Sequence, residues 1–323
     1  MQPLTIVMYH YVRDLERTRY PRIKGLRLAA FRQQLAYMQR FHHFVTVKDL
    51  IAALDGAPLP PNPAVLTFDD GFADHFQSVF PILSHRKIEG WFFPPCHPIL
   101  HNTVLDVHKI HFILASTDEE KLFPVVMEAL NEYRSQLNLP GNDAIFAELS
   151  VGSRFDSPKI TCIKQLLQHY LPEQERHAIV QTLFAHFVSA DEATFSAELY
   201  MTIEQLQCMS ASGMYIGSHG FRHVWLNKVD SQTQVEEVDR SIELLQQIGA
   251  PTKQWVFSYP YGAYNQSLID AAKQRGCALG LTTEVGLATL DADHAFTLAR
   301  LDTNDLPRTD TAEPSRWTQQ AMS

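Results

Sequence analysis

Two stretches of this 323-residue chain carry side chains whose types and spacing suit a metal ion and proton transfer. Val65-Leu66-Thr67-Phe68-Asp69-Asp70-Gly71 is an apolar run that ends abruptly in two adjacent carboxylates and a glycine. Such a run reads as a buried strand delivering acidic groups to a rim. Two like charges side by side repel each other, and a cation or a shared proton relieves that cost. A divalent metal is the expected relief, and a plain Asp-Asp-Gly turn is the competing reading, because Asp and Gly are common in turns. A second apolar run, Ile216-Gly217-Ser218-His219-Gly220-Phe221-Arg222-His223, ends in two histidines four residues apart. Imidazoles at that spacing face one point if the backbone turns helically after the strand. Spacing alone says little in a chain with 15 histidines. Position says more, since both groups lie just past a strand's C-terminal end, where sites gather in parallel β/α proteins.

Three further runs belong to the same pattern. Trp255-Val256-Phe257-Ser258-Tyr259-Pro260-Tyr261-Gly262 is an apolar strand closing on aromatics, proline and glycine. A Pro-Tyr-Gly turn can aim the Tyr261 backbone N–H into a cleft, where such a donor binds a developing oxyanion; a plain turn with a core tyrosine is the alternative. Ile6-Val7-Met8-Tyr9-His10 is a strand ending in histidine, and Leu298-Ala299-Arg300-Leu301-Asp302 is a short apolar run carrying an arginine.

Taken in order, these residues resemble the polysaccharide deacetylase family. Thr67 to Gly71 match its Thr-Phe-Asp-Asp-Gly motif in full, and Ser218, His219 and His223 match its Ser/Thr-His-x-x-x-His motif. Its Arg-x-Pro-Tyr-Gly motif is matched in part, with Ser258 where many members carry arginine. The resemblance covers about residues 1–95 and 200–305, and the Met8-Tyr9-His10 segment is similar to the start of the poly-N-acetylglucosamine deacetylase branch.

That resemblance implies metal-dependent hydrolysis of the N-acetyl group of a sugar. It makes Asp69 the general base that activates water, Asp70, His219 and His223 the metal ligands, and the Tyr261 N–H an oxyanion donor. Three protein ligands leave positions open for water and substrate, as a hydrolytic site requires. Zinc is the expected divalent ion, and cobalt, nickel or manganese also suit such a set. Many relatives protonate the leaving amine from a histidine in a late leucine-rich motif, for which no match follows residue 265. His294, in Asp291-Ala292-Asp293-His294, reads as part of a polar loop. The motif order of the resembled branch implies His10 as general acid instead. Arg300 is the expected replacement for the missing arginine, because guanidinium geometry suits a carboxylate.

Strands alternating with helices must position these groups. Helical spacing marks Leu28 to Phe41 (Phe31, Leu35, Met38), Val47 to Leu54, His75 to Lys87, and Asp230 to Ile248. The last carries Val235, Val238, Ile242 and Leu245 on its apolar face and Gly249 as its stop. Gly90 to Phe93 reads as a strand. Alternation of this kind predicts an α/β fold, and the resemblance implies a distorted (β/α) barrel with fewer than eight strands, built from residues 1–96 and 200–323. Residues 97–199 read as a helical insertion with three apolar faces: Leu122, Val125, Ala129 and Tyr133; Ile160, Ile163, Leu167 and Tyr170; Ile179, Leu183 and Phe187. Leu137 to Phe155 reads as a loop. Asp106-Val107-His108-Lys109-Ile110-His111 adds two histidines and one aspartate, thin support for a second metal site.

Composition narrows the partners. A chain this long with 45% hydrophobic residues can fill a barrel core and carry a subdomain. A net charge of −9 argues against nucleic acid, for which a basic stripe is expected. The opening residues lack the features of a secretory signal, and no segment approaches transmembrane length, so cytoplasmic residence is expected. Cys96, Cys162, Cys208 and Cys277 are scattered and read as reduced packing thiols. A cytoplasmic member meets a precursor, which makes an N-acetylated sugar or saccharide intermediate of bacterial surface-polysaccharide assembly the expected substrate. The alternatives are a deformylase or other small-amide hydrolase of the same fold, and an inactive member that binds carbohydrate.

Overall fold

Residues 2–151 and 156–323 are described by the structure, a computed structural model. Seven parallel strands among them build the frame of the site: β1 (Thr5–Tyr9), β2 (Pro63–Asp69), β3 (Gly90–Phe93), β4 (Tyr215–Ile216), β5 (Trp255–Ser258), β6 (Cys277–Leu281) and β7 (Leu301–Asp302). β1 pairs with β2, setting Tyr9 opposite Phe68, and on its other edge with β7, setting Val7 opposite Leu301. β2 pairs with β3, β3 with β4, and β5 with β6. Two isolated parallel bridges complete the ring: Ser218 with Phe257, and Leu281 with Leu298. This is the expected barrel of fewer than eight strands. Its distortion lies where β4 and β7 shrink to two residues and single bridges replace a ladder.

Every residue of β2 is buried, as a strand covered on both faces requires. Side chains alternate along it, and the two faces feed separate cores. Leu66 and Phe68 join an outer layer with Phe31 and Leu35 of the helix Leu28–Phe41, where Phe68 stacks against Tyr9 at 5.0 Å and Phe92 at 4.8 Å. Val65 joins Ile6, Trp91, Phe93, Val256 and Leu279 in an inner cluster. Thr67 and Asp69 therefore stand on the inner face, above an apolar plug.

The helices Leu28–Phe41 and Val47–Leu54 have the bounds their spacing predicts. A Thr46/Asp49 capping box starts the second. The segment from His75 opens as a π-turn, His75–Val79, before the α-helix Phe80–Arg86. Pro81 has no N–H to close an α-turn there, and the Phe80 N–H reaches back to the His75 carbonyl. The helix expected over Asp230 to Ile248 runs Ser231–Gln247 with Asp230 as its N-cap, and its inner face is different. Gln234, Glu237, Val238, Ser241, Leu244 and Leu245 are buried, whereas Val235 and Ile242 are half-buried.

The chain divides into two compact units. One comprises Met1–Asp14, Gly25–Asn102 and Ser196–Ser323 and holds the strands; the other comprises Leu15–Lys24 and Thr103–Phe195. The second unit is helical, with Asp106–Ser116, Glu119–Leu137, Asn142–Leu149, Pro158–Gln165 and Glu173–Phe187 around its own core. Leu15–Lys24, read above as barrel, packs with these helices. Asn142–Leu149 is a helix where a loop was expected, because Ile145 is buried and Phe146 meets Phe123 edge to face at 5.4 Å; residues 152–155 of that expected loop lie outside the described ones. In Glu119–Leu137 the buried row is Leu122, Val126, Met127 and Leu130, so Val125, Ala129 and Tyr133 are not its centre. Cys96, Cys162 and Cys277 are buried free thiols, whereas Cys208 is exposed and does not pack. Among the described residues no helix is long and apolar enough to cross a membrane.

Candidate active site

Asp69 closes β2 with 1% of its surface exposed. Arg300 binds it with both terminal nitrogens, Nη1 to Oδ1 at 3.1 Å and Nη2 to Oδ2 at 2.9 Å. The guanidinium is buried as deeply and is aimed by two more bonds: Nε donates to the Thr282 carbonyl at 2.7 Å, and Nη1 to Thr67 Oγ1 at 3.2 Å. Thr67 gives its own proton to the Val7 carbonyl at 2.9 Å, which leaves a lone pair for the arginine. Ser258 donates its hydroxyl to Asp69 Oδ2 at 3.1 Å. Burial pushes the Asp69 carboxyl up, but Arg300, seconded by His219 and His10, outweighs it and holds the group below the ordinary carboxylate range.

Asp70 leaves the strand in a left-handed conformation, φ +73°, while its N–H still continues the ladder to the Phe93 carbonyl at 3.1 Å. This break ends the regular strand at Asp69. Gly71 follows at φ +65°, and a Cβ there would come within 2.8 Å of the Pro94 side chain, so only glycine fits. His219 donates from Nδ1 to the Ser258 carbonyl at 2.6 Å, which directs Nε2 toward Asp70. The Nε2 atoms of His219 and His223 each lie 3.5 Å from Asp70 Oδ1. The three ligand atoms lie within 4.8 Å of one another, and all three residues are buried. Burial pulls His219 down, yet the Asp69 and Asp70 carboxylates more than compensate and raise its pKa. A cation is thus favoured at this spot, and one carboxylate oxygen with two imidazole nitrogens suits a divalent first-row ion.

The two histidines do not converge through a helical turn. Residues 219–223 form an irregular loop with Gly220 at φ +69° and His223 at φ +59°. His10 follows β1, half-buried; its carbonyl accepts a 2.7 Å hydrogen bond from Nε2 of the buried His75, whose pKa burial lowers to about 4. Tyr261 sits in the turn after β5 at φ +59°, its ring edge-on to His223 at 4.6 Å and stacked on Trp225 at 4.5 Å. Asp69, Asp70, His219, His223 and Arg300 therefore meet. His294 is exposed and bonded to Asp291 at 2.7 Å. In the helical unit, Asp106 meets His177 at 3.0 Å and the buried Lys109 meets Glu192 at 2.9 Å. Among the described residues, the set that could hold a metal is Asp70, His219 and His223.

Sequence reasoning left Ser258 as a gap in a motif, whereas it bonds Asp69 directly. It also missed Thr67 and Thr282 as supports of Arg300; the signal for Thr67 was its place two residues before the aspartate on the same strand face.

A parallel barrel with an Asp/His/His donor set and an arginine-bound aspartate at the C-terminal ends of its strands defines a (β/α)-barrel protein with a candidate metal centre. The sequence model of the polysaccharide deacetylase family matches residues 151–280, a span holding both histidines and the Pro260–Gly262 turn. Over that span the chain is similar to the polysaccharide deacetylase family. YxkH of Bacillus subtilis, a protein named as a polysaccharide deacetylase, is 35% identical over 92 residues, or 28% of this chain. That match spans 33% of the relative's length. The Streptococcus pyogenes deacetylase PplD, solved with acetate, shares the fold at TM-score 0.56 and 17% identity, covering 93% of this chain and 92% of that one. IcaB from Ammonifex degensii shares it at TM-score 0.53 and 19% identity, covering 100% and 98%.

Proposed function

We propose that this chain is a metal-dependent hydrolase that removes the N-acetyl group from an N-acetylated sugar. What supports the reading above all is the different setting of two adjacent carboxylates: Asp69 bound by Arg300 and Ser258, Asp70 facing two imidazoles. Asp70, His219 and His223 would hold the ion, zinc in this reading, which when bound would polarise the amide carbonyl and acidify water. Asp69 stays ionised at neutral pH and accepts a proton from the attacking water. Arg300 and Ser258 hold its carboxylate in one orientation throughout. The Tyr261 N–H donates to the oxygen that gains charge when water adds to the carbonyl carbon. His10 gives a proton to the nitrogen as the C–N bond breaks, so that acetate and a free amine leave.

The substrate in this reading is a saccharide intermediate of bacterial surface-polysaccharide assembly, met in the cytoplasm, and the net charge of −9 speaks for a sugar over nucleic acid. The test is acetate release from N-acetylglucosamine, its oligomers and its nucleotide-linked form by the zinc-loaded chain, beside Asp69→Asn. Acetate from wild type alone supports the reading. Formate from N-formyl amides in its place would point to a deformylase, and sugar binding without any release would point to a binding module.

A further inference from the structure

The loop that carries both histidines is held by a residue outside every motif considered above. Glu237, on the helix Ser231–Gln247, is 1% exposed. Its Oε2 accepts the backbone N–H groups of Phe221 and Arg222, each at 2.9 Å, and its Oε1 accepts Nε of Arg222 at 2.6 Å. One turn further on the same helix face, Ser241 accepts the Ser218 hydroxyl at 2.8 Å, and Ser218 Oγ in turn accepts the Gly220 N–H at 3.2 Å. Three consecutive N–H groups between His219 and His223 are thus turned onto side-chain oxygens. The carbonyls of Gly220 and Phe221 face the other way and accept from the backbone of Cys96 at 3.3 Å and His97 at 2.8 Å.

We infer that Glu237 is a positioning residue for the metal centre: a carboxylate built into the chain, seated in a cradle of backbone N–H groups, that fixes where the two imidazoles meet. Burying a carboxylate is a costly way to tie down a loop, because apolar packing would do so without desolvating a charge. What the anion adds is direction. It draws successive N–H groups inward, which holds open a loop with two left-handed residues and brings His223 back toward Asp70 across four residues. Partners behind metal ligands commonly change affinity by about 10–100-fold. The inference rests on the reading of Asp70, His219 and His223 as a metal site.

The test uses the full chain stripped of metal. Zinc affinity is measured by competition with a chelating dye, and the visible absorption of the cobalt form reports ligand geometry, for wild type, Glu237→Gln and Glu237→Ala. The expected result is at least a tenfold loss of affinity and an altered cobalt spectrum in Glu237→Ala. Glu237→Gln keeps an acceptor for the N–H groups and is expected to lose about threefold, with a smaller spectral change. A role confined to stability would lower the melting temperature and leave the cobalt spectrum of the folded variant unchanged. Wild-type affinity and spectrum in folded Glu237→Ala, or in Glu237→Gln where the alanine variant does not fold, would overturn the inference. A wild type that binds neither ion would instead defeat the metal reading, and the inference with it.

Discussion

Asp69 and Asp70 stand one residue apart and are neutralised in opposite ways. Asp69 has a fixed countercharge, the guanidinium of Arg300, with Ser258 filling a remaining lone pair. Asp70 faces His219 and His223, whose positive charge depends on a proton and whose nitrogens can take a metal instead. A permanent partner suits a group that must stay ionised, and exchangeable partners suit a binding set. The left-handed residue at Asp70 ends the strand between the two.

The contrast breaks most completely on the ligand side: Asp70→Ala or His219→Ala should lose both bound metal and turnover, read by elemental analysis beside an acetate assay. Asp69→Asn should lower kcat by about 10²–10⁴-fold and leave metal content at the wild-type level. Full turnover in that variant would remove Asp69 from the base role. Arg300→Met should leave a buried carboxylate unpaired, costing about 3–5 kcal/mol of stability, and should move the acid limb of the kcat/KM profile to higher pH because Asp69 loses what holds its pKa down. An unmoved limb would show that another group sets it. His10→Ala should slow amide cleavage about 10²-fold and an activated ester less than about threefold, since the ester's leaving group needs no proton. Equal losses would take the acid role from His10.

A smaller effect concerns His75. Its folded pKa of about 4 lies below the unfolded value, so the unfolded chain binds more protons between pH 4 and 6.5. Its contribution is full above about pH 6.5 and fades as pH falls toward 4. Urea midpoints of the metal-free chain should therefore drop between pH 7 and 5, and less so in His75→Gln.

Acids and imidazoles were legible where they follow long apolar runs, because a buried strand must deliver its last residues to a rim. Arg300 was legible for the same reason, at the end of Leu298 and Ala299. The holding residues were not. Apolar spacing in Ser231–Gln247 selects Val235 and Ile242, yet the inward face carries Gln234, Glu237 and Ser241, and a periodicity that counts only apolar residues passes over polar ones turned inward. Pro140-Gly141-Asn142-Asp143 was read as a loop because the same residue types serve turns and helix starts. Thr103–Phe195 of the helical unit, which falls between β3 and β4 in sequence, also places the aspartates far from the histidines along the chain, and the family match over residues 151–280 begins after the aspartates.

The bond between Arg300 and Asp69 joins residues 231 positions apart, which has a consequence for synthesis. At about 5–20 residues per second, the arginine follows its aspartate out of the ribosome by roughly 10–50 s. Until then Asp69 has no guanidinium to meet it and keeps its water, so the top of β2 stays open. β7 seals the ring against β1, and a nascent chain is expected to carry an unfinished barrel until that strand emerges. A chain halted before Arg300 should remain open to protease around Asp69, and one extended past Asp302 should not.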